Sequence, residues 1–293
     1  MKIKVSKGEK IFNILNIIFM ILLMIVMMYP FLHVAFASVS DSNQLIQHNG
    51  FLLKPVGFTL SAYKSVFENK LILSGYINTL INFILAVSLN IILTTLGAYA
   101  LSRKDFLLRN HIMMLITFTM FFNGGLIPNY LLLKNLGLTN TRYALIIPTA
   151  ISAYNLIIMR TSFQNIPESL FESAKLDGAN DFTILTKIVV PLSMPVIAVM
   201  LLFYGVQNWN SWFPAFIYLK DRALWPLQLV LREIVIANNL DEMITGADVS
   251  DKEAVGESIK YATIMVATLP ILLIYPFLQK YFVKGVMIGA VKG

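Results

Sequence analysis

Residues able to make or break covalent bonds are scarce in this chain. Cysteine is absent, and His33, His48 and His111 are too scattered to form a ligand spacing. Thiol nucleophiles, disulfide frameworks and Cys-ligated metals are therefore excluded, and no metal site is expected. The apolar stretches also lack a carboxylate pair or a nucleophile–base pair. What remains is hydrogen bonding and stacking. Amides and aromatics concentrate in YGVQNWNSW (Tyr204–Trp212), with Asn123, Tyr154 and Asn155 further upstream. Amides hydrogen-bond to hydroxyls, and aromatic faces stack on the apolar faces of sugar rings. Such groups suit an uncharged, hydroxyl-rich solute. The candidate path residues are Asn123, Tyr154, Asn155, Asn208, Trp209, Asn210 and Trp212. The same groups also serve, in other membrane proteins, to join helices or to form an interfacial aromatic belt.

A second polar stretch, ESAKLDGAN (Glu172–Asn180), lies between two strongly apolar runs. The spacing predicts a helix with Asn165 as its N-cap, Pro167 in its first turn and Glu168 three residues after the cap. Leu170, Phe171 and Ala174 share one face, and Glu168, Ser169, Glu172 and Lys175 share the other. Gly178 fits the position just past the helix, where a positive φ is needed. Asn180 or Asp181 can cap a second helix running through Ile188 to Pro191. Helix, glycine turn and helix form an elbow. An apolar strip beside a carboxylate can plug into a partner's groove, or lie in a membrane interface with no partner.

The elements that position these stretches are membrane spans. The chain is 57% hydrophobic and 13% charged, with a mean hydropathy of +0.71; a soluble domain carries roughly 25% charged residues. A span needs about 20 apolar residues. Six segments qualify: 11–38, 77–101, 111–128, 143–159, 191–213 and 261–279. The third and fourth carry Pro128 and Pro148, which predicts kinks or re-entrant backbone there. The first apolar run is longer than the roughly 7–15 residues of a signal-peptide core and reads as a retained span.

Six spans put both termini on one side. The N-terminus, 102–110, 160–190 and the C-terminal tail hold 13 Lys+Arg and 6 Asp+Glu, against 10 of each on the opposite face. Positive charge marks the cytoplasmic side, so residues 1–10, the C-terminus and the elbow are expected there. The basic residues are spread over separate flanks, so nucleic-acid binding is not expected. The remainder, 11–293, reads as a single transmembrane domain with a cytoplasmic loop 160–190 and an outer loop 214–260.

No Asp, Glu, Lys or Arg lies inside the six drawn spans, whereas ion-coupled carriers usually keep such groups at membrane depth. There is also no G-x-x-x-x-G-K-[ST] loop. If ATP drives this chain, the ATPase is a separate chain docking on a cytoplasmic loop.

Glu172-Ser173-Ala174, three residues, Gly178, nine residues, Ile188, one residue and Val190-Pro191 resemble the EAA loop of ABC importer permeases. Ser173 and Val190 are conservative departures from that pattern. FNGGLIPNYLLLKNLGLTNTRYALIIP (Phe122–Pro148) and NWNSWFPAFIYLKDRALWPLQLVLREI (Asn208–Ile234) resemble the sugar-importer permeases of the maltose-transporter type, within them the LplC/YtcP-like branch. The resemblance implies an all-α polytopic membrane protein with the type I ABC importer permease fold, six transmembrane helices and a cytoplasmic coupling helix. It implies a bacterial plasma-membrane location and a path for a sugar or oligosaccharide. The implied partners are a second permease of different sequence, two copies of an ABC ATPase and an extracytoplasmic sugar-binding lipoprotein. ATP and Mg would sit in the ATPase, with no cofactor bound directly here and no enzymatic activity of this chain. By position, Glu172, Ala174 and Gly178 inherit the coupling role, with Leu170, Phe171 and Asp177 as supporting contacts. The loop before the last span would touch the binding protein, through Asn238, Asn239, Asp241 and Glu242. The alternatives are a membrane scaffold that binds an ATPase without passing a solute and a permease for another uncharged solute.

Overall fold

The computed structural model describes residues 6–236 and 256–273. Among these residues every regular element is helical apart from one isolated bridge, Ser40 with Phe58. The helices are α1 Lys7–Ser38, α2 Ser42–Gln47, α3 Ser61–Glu68, α4 Lys70–Ser102, α5 Arg109–Phe121, α6 Leu126–Asn135, α7 Tyr143–Ile146 and α8 Ala153–Gln164. They continue with α9 Glu168–Leu176, α10 Asp181–Ile184, α11 Val190–Leu192, α12 Met194–Trp209, α13 Phe213–Tyr218, α14 Leu227–Ile236 and α15 Gly256–Leu273. A π-helical turn, Leu185–Val189, joins α10 to α11.

Among the described residues three helices (α1, α4 and α15) are individually long and apolar enough to cross a membrane, and up to five spans result if each of two bent pairs counts as one. The first bent pair is α5 with α6, which meet at 116°. Its break falls at 122–125, not at Pro128. Gly125 takes φ +89 there, and Asn123 Oδ1 accepts its N–H at 2.9 Å. Pro128 sits in the first turn of α6, where its missing N–H costs nothing. The second pair bends by 84° between α11 and α12, with Pro195 in the first turn of α12. Segment 143–159 is broken too, into α7 and α8.

The chain divides into two compact units. The first comprises residues up to Lys70 with Glu233–Leu269. Its α1 starts at the N-cap Ser6, whose Oγ accepts the Glu9 N–H at 3.2 Å. Phe12, Leu22 and Val26 are among the many α1 side chains that stay exposed; a helix apolar all round needs lipid or another chain against it. Beyond α1, Asp41 Oδ1 caps α2 by accepting the Asn43 and Gln44 N–H groups.

Among the described residues the second unit comprises Leu71–Arg232 with 270–273. Its core joins Ala98 and Tyr99 of α4, Met113 of α5, and Leu156, Met159 and Phe163 of α8. Phe171 and Ala174 of α9, Ile184 of α10 and Met200 and Tyr204 of α12 complete it. The elbow therefore packs into the same core as the apolar helices.

Candidate functional site

The elbow begins where α8 ends. Asn165 closes α8, its N–H donating to the Ser162 and Phe163 carbonyls; it is not the N-cap of α9. Pro167, with ψ 131, holds that place and offers no side-chain cap. The expectation for Asn165 fails because its backbone is already committed to the preceding helix. The rest of the turn follows the local sequence. Gly178 has φ +78, the Ala179 N–H donates to the Ala174 carbonyl at 2.9 Å, and the Gly178 N–H donates to the Lys175 carbonyl at 3.1 Å. This pair of bonds closes a helix end with a left-handed residue. Asn180 Oδ1 then accepts the Thr183 N–H at 2.8 Å and starts α10.

The six coupling candidates divide by exposure. Phe171 and Ala174 are buried in the chain's own core, at 3% and 8% exposure. Glu172, Asp177 and Gly178 face outward, and Leu170 is 40% exposed. The outward apolar groups include Leu176 and Phe182, 89% and 69% exposed. Neither was singled out by periodicity: Leu176 is the last residue of α9 and Phe182 lies in α10, beyond the repeat that marked Leu170, Phe171 and Ala174.

Salt links clamp α9 to the loop after α4. Arg103 Nη2 is 2.8 Å from Glu168 Oε1, and its guanidinium lies 3.8 Å over the Phe171 ring. Lys104 reaches Glu168 at 3.5 Å, and Lys175 reaches Asp105 at 3.2 Å. Both ends of the helix are thus held. The Lys175 hydrogen bond to Asp105 keeps that carboxyl below its usual range, against a weaker desolvation effect that raises it. Nothing in the local sequence of residues 103–105 points to this clamp.

The amides and aromatics occupy several settings. Asn90 of α4 is fully buried and donates through Nδ2 to the Thr149 and Ala150 carbonyls, at 2.6 and 2.9 Å. These carbonyls belong to the break between α7 and α8, and irregular backbone at membrane depth must be satisfied from within the protein. Tyr204 OH meets Thr94 Oγ1 at 2.7 Å and accepts the Ser152 N–H at 3.0 Å. Asn208 Nδ2 donates to Asn90 Oδ1 and to the Tyr204 carbonyl. Asn208 also lines a cavity of about 20 Å³ beside Thr79, Asn82 and Ser211.

Trp209 is buried against Tyr76 and Phe83, 6.5 and 6.2 Å between ring centroids. Asn155 is 4% exposed, and Asn123 spends its oxygen on the α5–α6 break. Tyr154, Asn210 and Trp212 stay open to solvent or solute. Trp212 also carries the Arg232 guanidinium 4.7 Å over its ring. The path candidates therefore do not form one lining: the structure uses Asn208 and Trp209 to join helices, covers part of Trp212 with Arg232, and leaves Tyr154 and Asn210 exposed.

Sequence reasoning missed Arg142, one residue outside a drawn span. Its Nη2 donates to Asn78 Oδ1 at 2.6 Å and its Nη1 to Asn82 Oδ1 at 3.3 Å. Among the described residues no carboxylate pairs with it. Asn78 in turn donates to the Ala223 and Trp225 carbonyls. Asn238, Asn239, Asp241 and Glu242 lie outside the described residues. Among the described residues no group of three or more His, Asp or Glu side chains is placed to hold a metal ion.

Broken apolar helices with a capped elbow packed into their core have the architecture of a membrane transport permease. Residues 7–288 match the family described as binding-protein-dependent transport system inner membrane component, and the chain belongs to that family. It is 43% identical over 290 residues to the polygalacturonan/rhamnogalacturonan transport system permease protein YtcP of Bacillus subtilis, covering 97% of this chain and 99% of that one. It is 40% identical to Protein LplC of the same organism, covering 98% and 97%. It superposes on a chain from the crystal structure of a bacterial ABC transporter involved in the import of the acidic polysaccharide alginate. The TM-score is 0.88 at 32% identity, with 96% and 100% coverage.

Proposed function

We propose that this chain forms the translocation path of an ATP-driven importer, with the Glu168–Leu192 elbow receiving the stroke of a separate ATPase. The observation that carries this is the division of the elbow's side chains. Phe171 and Ala174 lie in the core shared with α4, α5, α8 and α12, while Glu172, Leu176, Asp177 and Phe182 face outward. A partner gripping the outward side moves the core-bound side with it. The two ends act as one two-state element, biased by nucleotide on one side and by loaded binding protein on the other.

In this reading ATP and Mg bind in the ATPase, and this chain performs no hydrolysis. Two ATPase copies, a second permease of different sequence and an extracytoplasmic sugar-binding lipoprotein complete the assembly. The charge asymmetry supports cytoplasmic termini and six spans in one permease domain. Glu172, Ala174 and Gly178 form the coupling site, with Leu170, Phe171 and Asp177 supporting it.

The solute is an oligosaccharide, and Arg142 favours one that carries carboxylates. A half-buried guanidinium held by two amides and no carboxylate presents net positive charge, and such a fork suits a uronate group. The named relatives include a permease for polygalacturonan and rhamnogalacturonan and a transporter for an acidic polysaccharide.

The test is uptake in proteoliposomes holding the complete transporter. Labelled uronate-bearing and neutral oligosaccharides of matched length are compared, and Arg142→Gln is expected to lower the acidic-over-neutral preference several-fold. Equal uptake of both sugars by the parent protein would overturn the acidic assignment. Copurification with an ATPase but no uptake of either would leave the scaffold reading instead.

A further inference from the structure

A cavity of about 380 Å³ opens beside the elbow where the helices end. Ser102 closes α4, Arg109 opens α5 and Gln164 closes α8, and all three line it. Four cations surround it, Arg103, Lys104, Arg109 and Arg160, and one carboxylate, Glu168. That carboxylate is already shared between Arg103 and Lys104. Arg109 Nη1 bonds only to the Arg103 carbonyl, at 3.2 Å, and Arg160 Nε to the Leu101 carbonyl, at 2.8 Å. Among the described residues neither has a carboxylate within ion-pair distance.

Both cations therefore stand uncompensated, and one stands against the field. Arg109 is the first residue of α5, and Leu108 before it gives no side-chain cap. A cation at a helix N-terminus opposes the macrodipole unless an anion joins it. Burial first, and repulsion from Arg109 second, lower the pKa of Arg160. An anion in the cavity would relieve both.

The surroundings identify the kind of anion. The loop that supplies Arg103 and Lys104 continues as Phe106-Leu107-Leu108, with Leu107 92% and Leu108 58% exposed. An exposed leucine pair next to cations, at the level where apolar helices end, matches a bilayer's boundary: acyl chains for the leucines, headgroup phosphates for the arginines. We propose that this cavity holds the phosphate of an anionic phospholipid, in the leaflet where α4 and α8 end and α5 begins. The bound lipid bridges the start of α5 and the end of α8, on either side of the loop that clamps the elbow.

The full-length chain, purified in neutral detergent, is titrated with phosphatidylglycerol and with phosphatidylcholine, and bound lipid is read by native mass spectrometry. Phosphatidylglycerol is expected to be retained over phosphatidylcholine. The Arg109→Gln/Arg160→Gln double variant should lose roughly tenfold or more of that affinity. Leu107→Gln separates a lipid from a free anion. It removes an exposed side chain with no cost to folding, and it should weaken phosphatidylglycerol several-fold if an acyl chain rests there. Lys104→Gln, at an exposed cation, gives a smaller loss should the double variant misfold, and Lys187→Gln, away from the cavity, should change nothing. Equal retention of both lipids overturns the proposal. So does displacement by millimolar inorganic phosphate with no effect of Leu107→Gln, which would assign the cavity to a free anion. No ATP, sugar or partner enters the assay, so its outcome is independent of the transport reading.

Discussion

Two interruptions of helix in this permease are solved in opposite ways. At the elbow, α9 ends on Gly178 and satisfies its last carbonyls with its own backbone, from the N–H groups of Gly178 and Ala179. At the break between α7 and α8 the free carbonyls of Thr149 and Ala150 find no local donor of this kind. They take both hydrogens of the Asn90 amide, about 60 residues away. The first solution closes the turn with donors of its own and needs none from another helix. The second ties the break to α4, and through Tyr204 and Asn208 to α12. One turn is capped within itself, and the other borrows its donors from a distant helix.

The sharpest way to break this contrast is Asn90→Leu. It leaves two part-buried carbonyls without donors and removes the Asn208 contact. Each unsatisfied group costs about 1–3 kcal/mol, so a destabilisation of roughly 2–5 kcal/mol is expected, measured by thermal unfolding in detergent. A loss under about 1 kcal/mol would mean that water or another donor already serves the break. Gly178→Val comes next. A Cβ there meets open space, so the whole effect is the strain of φ +78, on the order of 1–2 kcal/mol. The fold should survive while sugar-stimulated ATP hydrolysis by the complete transporter drops sharply. Undiminished stimulation would show that the elbow does not transmit.

The same contrast explains what could be read in advance. The glycine turn and the Asn180 cap involve neighbours within a few residues, so the sequence carries them whole. Asn90 and Asn78 read only as polar groups in a span, because their partners are fixed by tertiary packing. Phe171 and Ala174 were placed on an apolar face correctly, but periodicity does not say whether that face meets the chain's own core or a partner. Arg142 escaped notice because a count of charges inside drawn spans stops at the drawn boundary, and it lies one residue beyond.

Asn180→Ala refines the contrast with a smaller change. It removes the oxygen that accepts the Thr183 N–H and should cost about 1 kcal/mol, without the loss of uptake expected at Gly178. A drop in coupling as large as that of Gly178→Val would mean that α10, and not the glycine turn, sets the elbow.

The smallest effect expected is that of acid on the clamp. The Lys175 hydrogen bond and charge hold the Asp105 pKa below its ordinary value. A depressed folded pKa contributes stability that is present above the unfolded value, about 3.9, and fades as pH falls through the lower folded one. The clamp should therefore be indifferent to pH across the neutral range and loosen only below about pH 4. Asp105 is 63% exposed, so water and salt screen most of the interaction. Protection of α9 amides against hydrogen exchange is the measurement. Asp105→Asn should lower it slightly at neutral pH and remove its acid dependence. The Arg103–Glu168 link, with Arg103 only 12% exposed, keeps the first turn of α9 in place throughout. Loss of protection across the whole helix on Asp105→Asn would mean that its two ends are not held independently.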